Sequence, residues 1–337
     1  MIPGRPPAAW PFRCTGCGRP YPDDQLPYCC PACSGVYDYA GPLAAPPASP
    51  SGERRGLDRY AGSFPFALTQ PLVSLGEGGT PLLPVGLGDR VLHFKCEHLN
   101  PTGSYKDRGS AVLVSALAAA GVSHAVEDSS GNAGASFAAY AARAGLRARV
   151  FVPAGASGPK RAQIEAFGAD LVRVDGPRSQ AAAAVRHAAE SGAVYASHAY
   201  LPHGLAGVAT IAYELLEQLG RVPGAVVVPV GHGGLLVGIH RGFEALLRAG
   251  RIDRLPRLVG VQARACAPVW AVYTSGSSGL ALVQEGETRA EGIRLRFPLR
   301  GDAVLAAVEA SGGMMLSVGE EELLRACDLL ARTGFNV

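Results

Sequence analysis

Leu99-Asn100-Pro101-Thr102-Gly103-Ser104-Tyr105-Lys106-Asp107-Arg108-Gly109 places one lysine in a short polar, glycine-flanked stretch ahead of an apolar run. A free lysine amine titrates at about 10.4 and is a poor nucleophile at neutral pH. In a desolvated pocket it condenses with a carbonyl and afterwards carries protons to and from carbon. A solvated lysine in a polar loop would explain Lys106 alone, but two further stretches accompany it. Ser129-Ser130-Gly131-Asn132 opens an apolar helical segment, and its hydroxyls and backbone N–H groups suit a carboxylate. A plain serine cap accounts for one serine, not for two serines, a glycine and an asparagine together. Gly231-His232-Gly233-Gly234-Leu235 follows the apolar run 225–230. Between a strand and a helix, such a loop lets a phosphate approach successive amides without interference from Cβ atoms. It does not match the Gly-x-Gly-x-x-Gly dinucleotide fingerprint.

Around these stretches the chain alternates short β-branched runs with Ala/Leu-rich helical ones. Residues 148–152, 170–174 and 194–196 read as strands, and 159–167 and 179–190 as the helices between them. This alternation predicts parallel βαβ units with right-handed crossovers. The unbroken apolar run 225–230 predicts a strand covered on both faces, followed by a helix over 234–247 and a strand over 257–262. Residues 320–332 read as a helix capped by Gly334, with Phe335 opening another strand.

Length bounds the organisation: 337 residues suffice for about two domains and a small appendage. With 48% hydrophobic and 18% charged residues a sizeable core is expected. A net charge of +3 gives no electrostatic case for nucleic acid. Apolar runs end well short of the ~20 residues of a membrane span, and no signal-type stretch opens the chain, so a cytoplasmic protein is expected. Five of the eight cysteines fall between Cys14 and Cys33. Cys14-Thr-Gly-Cys17 and Cys30-Pro-Ala-Cys33, with 12 residues between the pairs, have the spacing of a four-sulfur site. Four thiolates without a histidine predict structural Zn2+ with no open coordination position. A segment of about 40 residues needs such a staple to stay folded. Cys29 is spare; Cys96, Cys266 and Cys327 read as buried small hydrophobes.

The order and wording of the three polar stretches, with Glu77-Gly78-Gly79-Thr80-Pro81-Leu82 upstream, resemble the threonine synthase branch of the tryptophan-synthase-β-like (fold type II) pyridoxal-phosphate enzymes. The resemblance runs from about Gly76 to the C-terminus. It implies an α/β fold of two doubly wound parallel-sheet domains with pyridoxal 5'-phosphate between them, here preceded by a zinc ribbon. The expected division is a ribbon over 1–40, a linker over 41–70, a smaller domain over 111–200, and a larger one from 71–110 and 201–337. It also implies roles. Lys106 carries the cofactor, Asn132 donates to its phenolic oxygen, and Gly231, His232, Gly233, Gly234 and Leu235 cup its phosphate. Ser129, Ser130 and Gly131 take the substrate carboxylate. A homodimer acting on a small amino acid, with no nucleic-acid or membrane partner, is expected.

The implied reaction converts O-phosphohomoserine and water to threonine and phosphate. Two departures bear on it. Relatives draw a substrate-phosphate site from an Asn-Ser-x-Asn-Pro-x-Arg stretch; over His198, Ala199, Leu201, Pro202 and Gly204 only the proline matches. Lys160, Arg161, His198 and His203 are the nearby candidates to supply the missing charge. The family's Ser- or Thr-containing segment for the cofactor ring nitrogen is expected beyond Val337, so the chain reads as truncated. The residues therefore leave three alternatives: a serine/threonine dehydratase-like β-elimination, a phosphoserine-using β-replacement, or an inactive paralogue serving as a zinc-bearing interaction module.

Overall fold

The apolar runs pair into parallel ladders in the computed structural model of the chain, which describes residues 10–47, 56–66, 68, 71–155, 158–176 and 178–335. The strands in chain order are β1 (Phe12–Cys14), β2 (Tyr37–Tyr39), β3 (Leu82–Leu87), β4 (Arg90–Lys95), β5 (His124–Glu127), β6 (Arg147–Pro153), β7 (Asp170–Val174), β8 (Val194–Tyr195), β9 (Ala225–Pro229), β10 (Arg257–Ala263) and β11 (Met314–Val318). The helices are α1 (Lys106–Ala119), α2 (Asn132–Arg143), α3 (Pro159–Ala166), α4 (Arg178–Glu190), α5 (Leu205–Leu219), α6 (Gly234–Arg248), α7 (Pro268–Ser275), α8 (Gly301–Ala310) and α9 (Glu320–Arg332). Residues 48–55 of the expected linker, and Asn336 and Val337 of the expected last strand, lie outside the described residues. Among the described residues no helix is long and apolar enough to cross a membrane.

The chain forms two units, one of Met1–Thr80 and Cys96–Ile211, the other of Pro81–Lys95 and Ala212–Val337. In the first, β7-β6-β5-β8 form a sheet in which every pairing is parallel. Val126, Phe151, Val185 and Tyr195 make a core between this sheet and α4. α1 is buried on most of its circumference, from Asp107 to Leu117. Its sequence accordingly shows no polar stripe, as a helix enclosed on all sides should. The short antiparallel pair β1–β2 belongs to the cysteine-rich segment.

Residues 71–80, 96–110 and 201–211 lie with the first unit, whereas the sequence reading put them in the larger domain. Glycine packing joins two of these stretches. Gly204 lies against Gly109, whose carbonyl oxygen would sit 3.0 Å from a Cβ at 204. A Cβ at Gly207 would fall on the carbonyl of Arg108. The starts of α1 and α5 therefore approach backbone to backbone.

In the second unit β11-β10-β9 is a parallel three-stranded sheet. β3 and β4 form a hairpin across a two-residue Gly88-Asp89 turn. Gly88 has φ +63°, the left-handed conformation that such tight turns require. One expectation fails here: β9 is not covered on both faces. Val227 is 63% exposed, and among the described residues β9 lies at the edge of its sheet. An apolar run signals a strand but does not say what lies over it. Cys96 and Cys266 are buried as expected, while Cys327 is only half-buried.

Gly207→Ala should destabilise the protein by roughly 1–3 kcal/mol, the usual range for overpacking a close contact. Denaturant unfolding checks this, and parent-like stability in the variant would show that the approach of α1 and α5 is loose.

Candidate active site

Lys106 is the first residue of α1 rather than part of a loop, and the two residues after it fix its position. Asp107 is fully buried and accepts the backbone N–H of Thr102 at 2.7 Å and its hydroxyl at 2.5 Å. This closes the Thr102–Ser104 turn over the helix start, where a carboxylate also favours the helix dipole. Arg108 is fully buried too. Its Nε and one terminal nitrogen each donate to Glu97 at 2.8 Å, in the bidentate geometry that suits guanidinium and carboxylate. The hydroxyls of Thr210 and Thr80 accept further bonds from it at 2.9 and 3.2 Å. Asn100 donates to Glu97 at 2.9 Å and accepts from the Gly78 amide at 3.0 Å. The Lys106 amine itself remains half-buried, 2.7 Å from the Tyr105 hydroxyl and 4.5 Å above that ring. Lys160 donates to the Thr102 carbonyl at 2.6 Å, and burial lowers its pKa.

Ser129, Ser130 and Gly131 lead into α2, whose first residue is the exposed Asn132. The Ser129 hydroxyl accepts the Gly131 amide at 3.2 Å, so the turn is braced locally. Among the described residues no side chain caps α2, which leaves the N–H groups of its first turn available to an anion. Gly134 is required because its Cβ would collide with the Ser129 carbonyl. Four residues into each helix, the hydroxyls of Ser136 and Ser110 hydrogen-bond at 2.7 Å. This bond ties α1 to α2 one turn beyond Lys106 and Asn132.

An acidic pair precedes this turn and was missed in the sequence, because two carboxylates closing a strand carry no motif. Glu127 is buried, and its carboxylate lies 3.4 Å from His198 Nδ1. Burial raises its pKa, and the positive charges of Arg178 and Lys106 act against that rise. The Asp128 carboxyl is pushed up to about 6, first by burial and then by the charge of Glu127, although it accepts the Tyr195 hydroxyl at 2.6 Å.

The substrate-phosphate alignment finds little cation here. Gly204 is packed against Gly109, so no side chain fits at that position. His203 is fully buried among aromatic rings, and burial lowers its pKa to about 3. It cannot supply the missing charge. His198 faces a carboxylate, and Lys160 faces the Thr102 carbonyl.

In the second unit, Gly231, His232 and Gly233 lead into α6, which begins at Gly234 and Leu235. Gly233 adopts φ +96°, and among the described residues no side chain caps the helix. A Cβ at Gly233 would strike Val304, and one at Gly231 would press on Gly292 and Leu295. The result is an uncapped amide cradle of the kind a phosphate ester occupies. His232 turns to residues 299–300, accepting the Leu299 amide at Nδ1, 3.5 Å away.

The sulfurs of Cys14, Cys17, Cys30 and Cys33 all lie within 4.8 Å of one another, with Cys14–Cys33 at 3.4 Å and Cys17–Cys30 at 3.7 Å. A tetrahedral ion with metal–sulfur bonds of about 2.3 Å needs edges of about 3.8 Å, so the cluster has the size for one. Within this set the Ala32 amide draws the Cys30 pKa down, while the neighbouring Cys14 and Cys17 thiols push that of Cys33 up. Cys29 stands beside this set, half-buried.

Comparison with known proteins gives a family and a fold. Residues 73–337 match the family described as pyridoxal-phosphate dependent enzyme. The chain is 36% identical over 333 residues to a threonine synthase of Methanocaldococcus jannaschii, covering 95% of this chain and 82% of that one. It is 34% identical to a threonine synthase of Methanosarcina acetivorans, over 95% and 81% respectively. Among solved structures, a threonine deaminase of T.th. matches with a TM-score of 0.60 and 29% identity over 76% of this chain and 81% of that one. Maize serine racemase matches in fold with a TM-score of 0.64 and 23% identity, covering 74% of each chain.

The raised Asp128 value has a sign. Between its ordinary 3.8 and its folded value of about 6, the folded state holds more protons than the unfolded one. Stability therefore falls as pH rises through that window, and the whole penalty is present above it. Asp128→Asn should exceed the parent by about 1–3 kcal/mol at pH 8, with the gap shrinking toward pH 4. Urea midpoints across this range test it; a gap independent of pH would contradict the assignment.

Proposed function

The chain belongs to the pyridoxal-phosphate dependent enzymes, and from that premise we propose that it is a threonine synthase-type lyase converting O-phosphohomoserine and water to threonine and phosphate. The lyase reading is carried by one observation: the half-buried Lys106 opens a helix whose next two residues are locked by buried hydrogen bonds. The substrate is read from the curated relatives, which bear the name threonine synthase at 34–36% identity.

Bound pyridoxal phosphate supplies an electron sink that makes the bonds at the amino acid's Cα labile. The remaining chemistry falls to the chain's own side chains. Lys106 holds the cofactor aldehyde and moves the proton at Cα. Asp107 and Arg108 keep its backbone still, so that the amine's reach is set by side-chain torsions alone. Ser129, Ser130 and Gly131, with the uncapped amides of α2, take the α-carboxylate. Asn132 donates to the cofactor's phenolic oxygen. Gly231, His232, Gly233, Gly234 and Leu235 grip the ester phosphate. The four cysteines hold a structural Zn2+ that keeps the N-terminal segment folded.

A second reading, β-elimination from serine or threonine, is favoured by the packing of Gly204 and the burial of His203, which remove cations from the aligned phosphate stretch. It also accords with the 29% identity to a threonine deaminase.

Incubation of the purified full chain with O-phosphohomoserine should release threonine and phosphate in equal amounts. Release of ammonia and a 2-oxo acid from serine or threonine instead would select the second reading. Lys106→Ala should lose the lysine-bound cofactor absorbance and the borohydride label on its peptide. Turnover should then drop by at least about two to four orders of magnitude, the scale of a lost acid–base group, and retained turnover would overturn the role of Lys106. Cys14→Ser should reduce bound zinc, measured by metal analysis, while Lys106 still takes the label.

A further inference from the structure

The cysteine-rich segment does not stand apart as a tail. Trp10, Phe12 and Tyr21 are all at most 4% exposed, and they close around a single imidazole. Ring centroids lie 4.6 Å from Trp10 to His203, 4.7 Å from Phe12 and 5.9 Å from Tyr21, while Phe66 completes the box at 5.6 Å. The Tyr39 hydroxyl of β2 donates to the His203 carbonyl at 3.3 Å. Neither nitrogen of His203 has a hydrogen-bond partner among the described residues, so the ring is held by faces and edges.

A second contact leaves the same segment at Tyr28. Its ring sits 5.2 Å from Tyr195 and 5.1 Å from Tyr200. The Tyr195 hydroxyl donates to Asp128, the residue immediately before Ser129. Each contact stops one residue short of the candidate machinery. His203 precedes Gly204, which lies on Gly109 of the catalytic helix. Tyr195 holds Asp128, which sets the start of the Ser129–Asn132 turn.

We propose that the cysteine-rich segment is a positioning clamp for the catalytic turns: Trp10 with Phe12 grips the 202–204 turn, and Tyr28 through Tyr195 grips the 127–131 turn. Substrate binding therefore depends on Trp10 and Tyr28, positioning residues that touch neither substrate nor cofactor. The inference rests on the roles proposed above for Lys106 and Ser129. The physical reason for such a clamp is that both turns are short, 202–204 being a single 3-10 turn ahead of α5. Past Glu127, the end of β5, neither lies in a strand ladder. Misplacement by about 1 Å is enough to cost a large factor in turnover.

The test uses the full-length chain as parent, Trp10→Ala, Trp10→Phe and Tyr28→Ala, read by amide hydrogen exchange and steady-state kinetics. Trp10→Ala should speed exchange over 202–211, and Tyr28→Ala over 127–131, each by about tenfold or more, while exchange in β11 and α9 stays at the parent rate. Both should raise KM for the amino acid by about tenfold with Lys106 still labelled by borohydride, and Trp10→Phe should restore both readouts. A lower melting temperature with KM and local exchange unchanged would overturn the clamp and leave the segment a stabilising appendage. If the parent neither turns over an amino acid nor takes label at Lys106, the lyase reading fails. The exchange data then still decide whether the segment holds the two turns.

Discussion

The first unit depends on Arg108, a fully buried guanidinium inside the helix that begins with the candidate catalytic lysine. Taking that charge out of water is expensive, and the bidentate bond to Glu97 with the Thr80 and Thr210 hydroxyls offsets that cost. Removing one partner of such a pair costs about 3–5 kcal/mol, because the other charge is left uncompensated. The requirement propagates outward. Glu97 must face inward, so Asn100 organises the turn after it and reaches back to Gly78. Gly109, next to the arginine, admits the backbone at Gly204. What holds Lys106 in place is thus electrostatic and steric at once.

Three polar stretches open three helices, and at the starts of α2 and α6 no side chain among the described residues caps the helix. Uncapped N–H groups are costly unless water or a ligand takes them, which is why helix starts serve as anion sites. The carboxylates of Glu127 and Asp128 pull the other way. They place negative charge beside the turn that the carboxylate of an amino acid would occupy. Lys106 and Arg178 offset it. Charge in this unit is therefore balanced by burial and partnership rather than by a surplus of cations.

Much of the fold was legible along the chain. The run 148–152 lies within β6, 170–174 coincides with β7, and residues 320–332 form α9 with Gly334 at φ +89° beyond it. These elements repeat a period of 2 or 3.6 and end at glycines, so local chemistry suffices. The 225–230 run was legible as a strand but not as a half-covered one, since apolarity measures the tendency to be buried and not the neighbours present. The cysteine spacing foretold four sulfurs within reach of one another, because each Cys-x-x-Cys pair is a local turn. The aromatic box around His203 had no signature, since Trp10, Phe12, Phe66 and His203 are scattered over almost two hundred residues.

The sequence by itself determined the alternation of strand and helix, the lysine, serine and glycine stretches and the cysteine set, because each is encoded within a few consecutive residues. Tertiary structure alone decided which distant groups these meet: Glu97, Thr80 and Thr210 around Arg108, Gly204 upon Gly109, and Trp10 upon His203. Such pairings depend on how closely two backbones can approach and on whether a buried charge or ring finds its partner. Those conditions exist only once the chain has closed on itself.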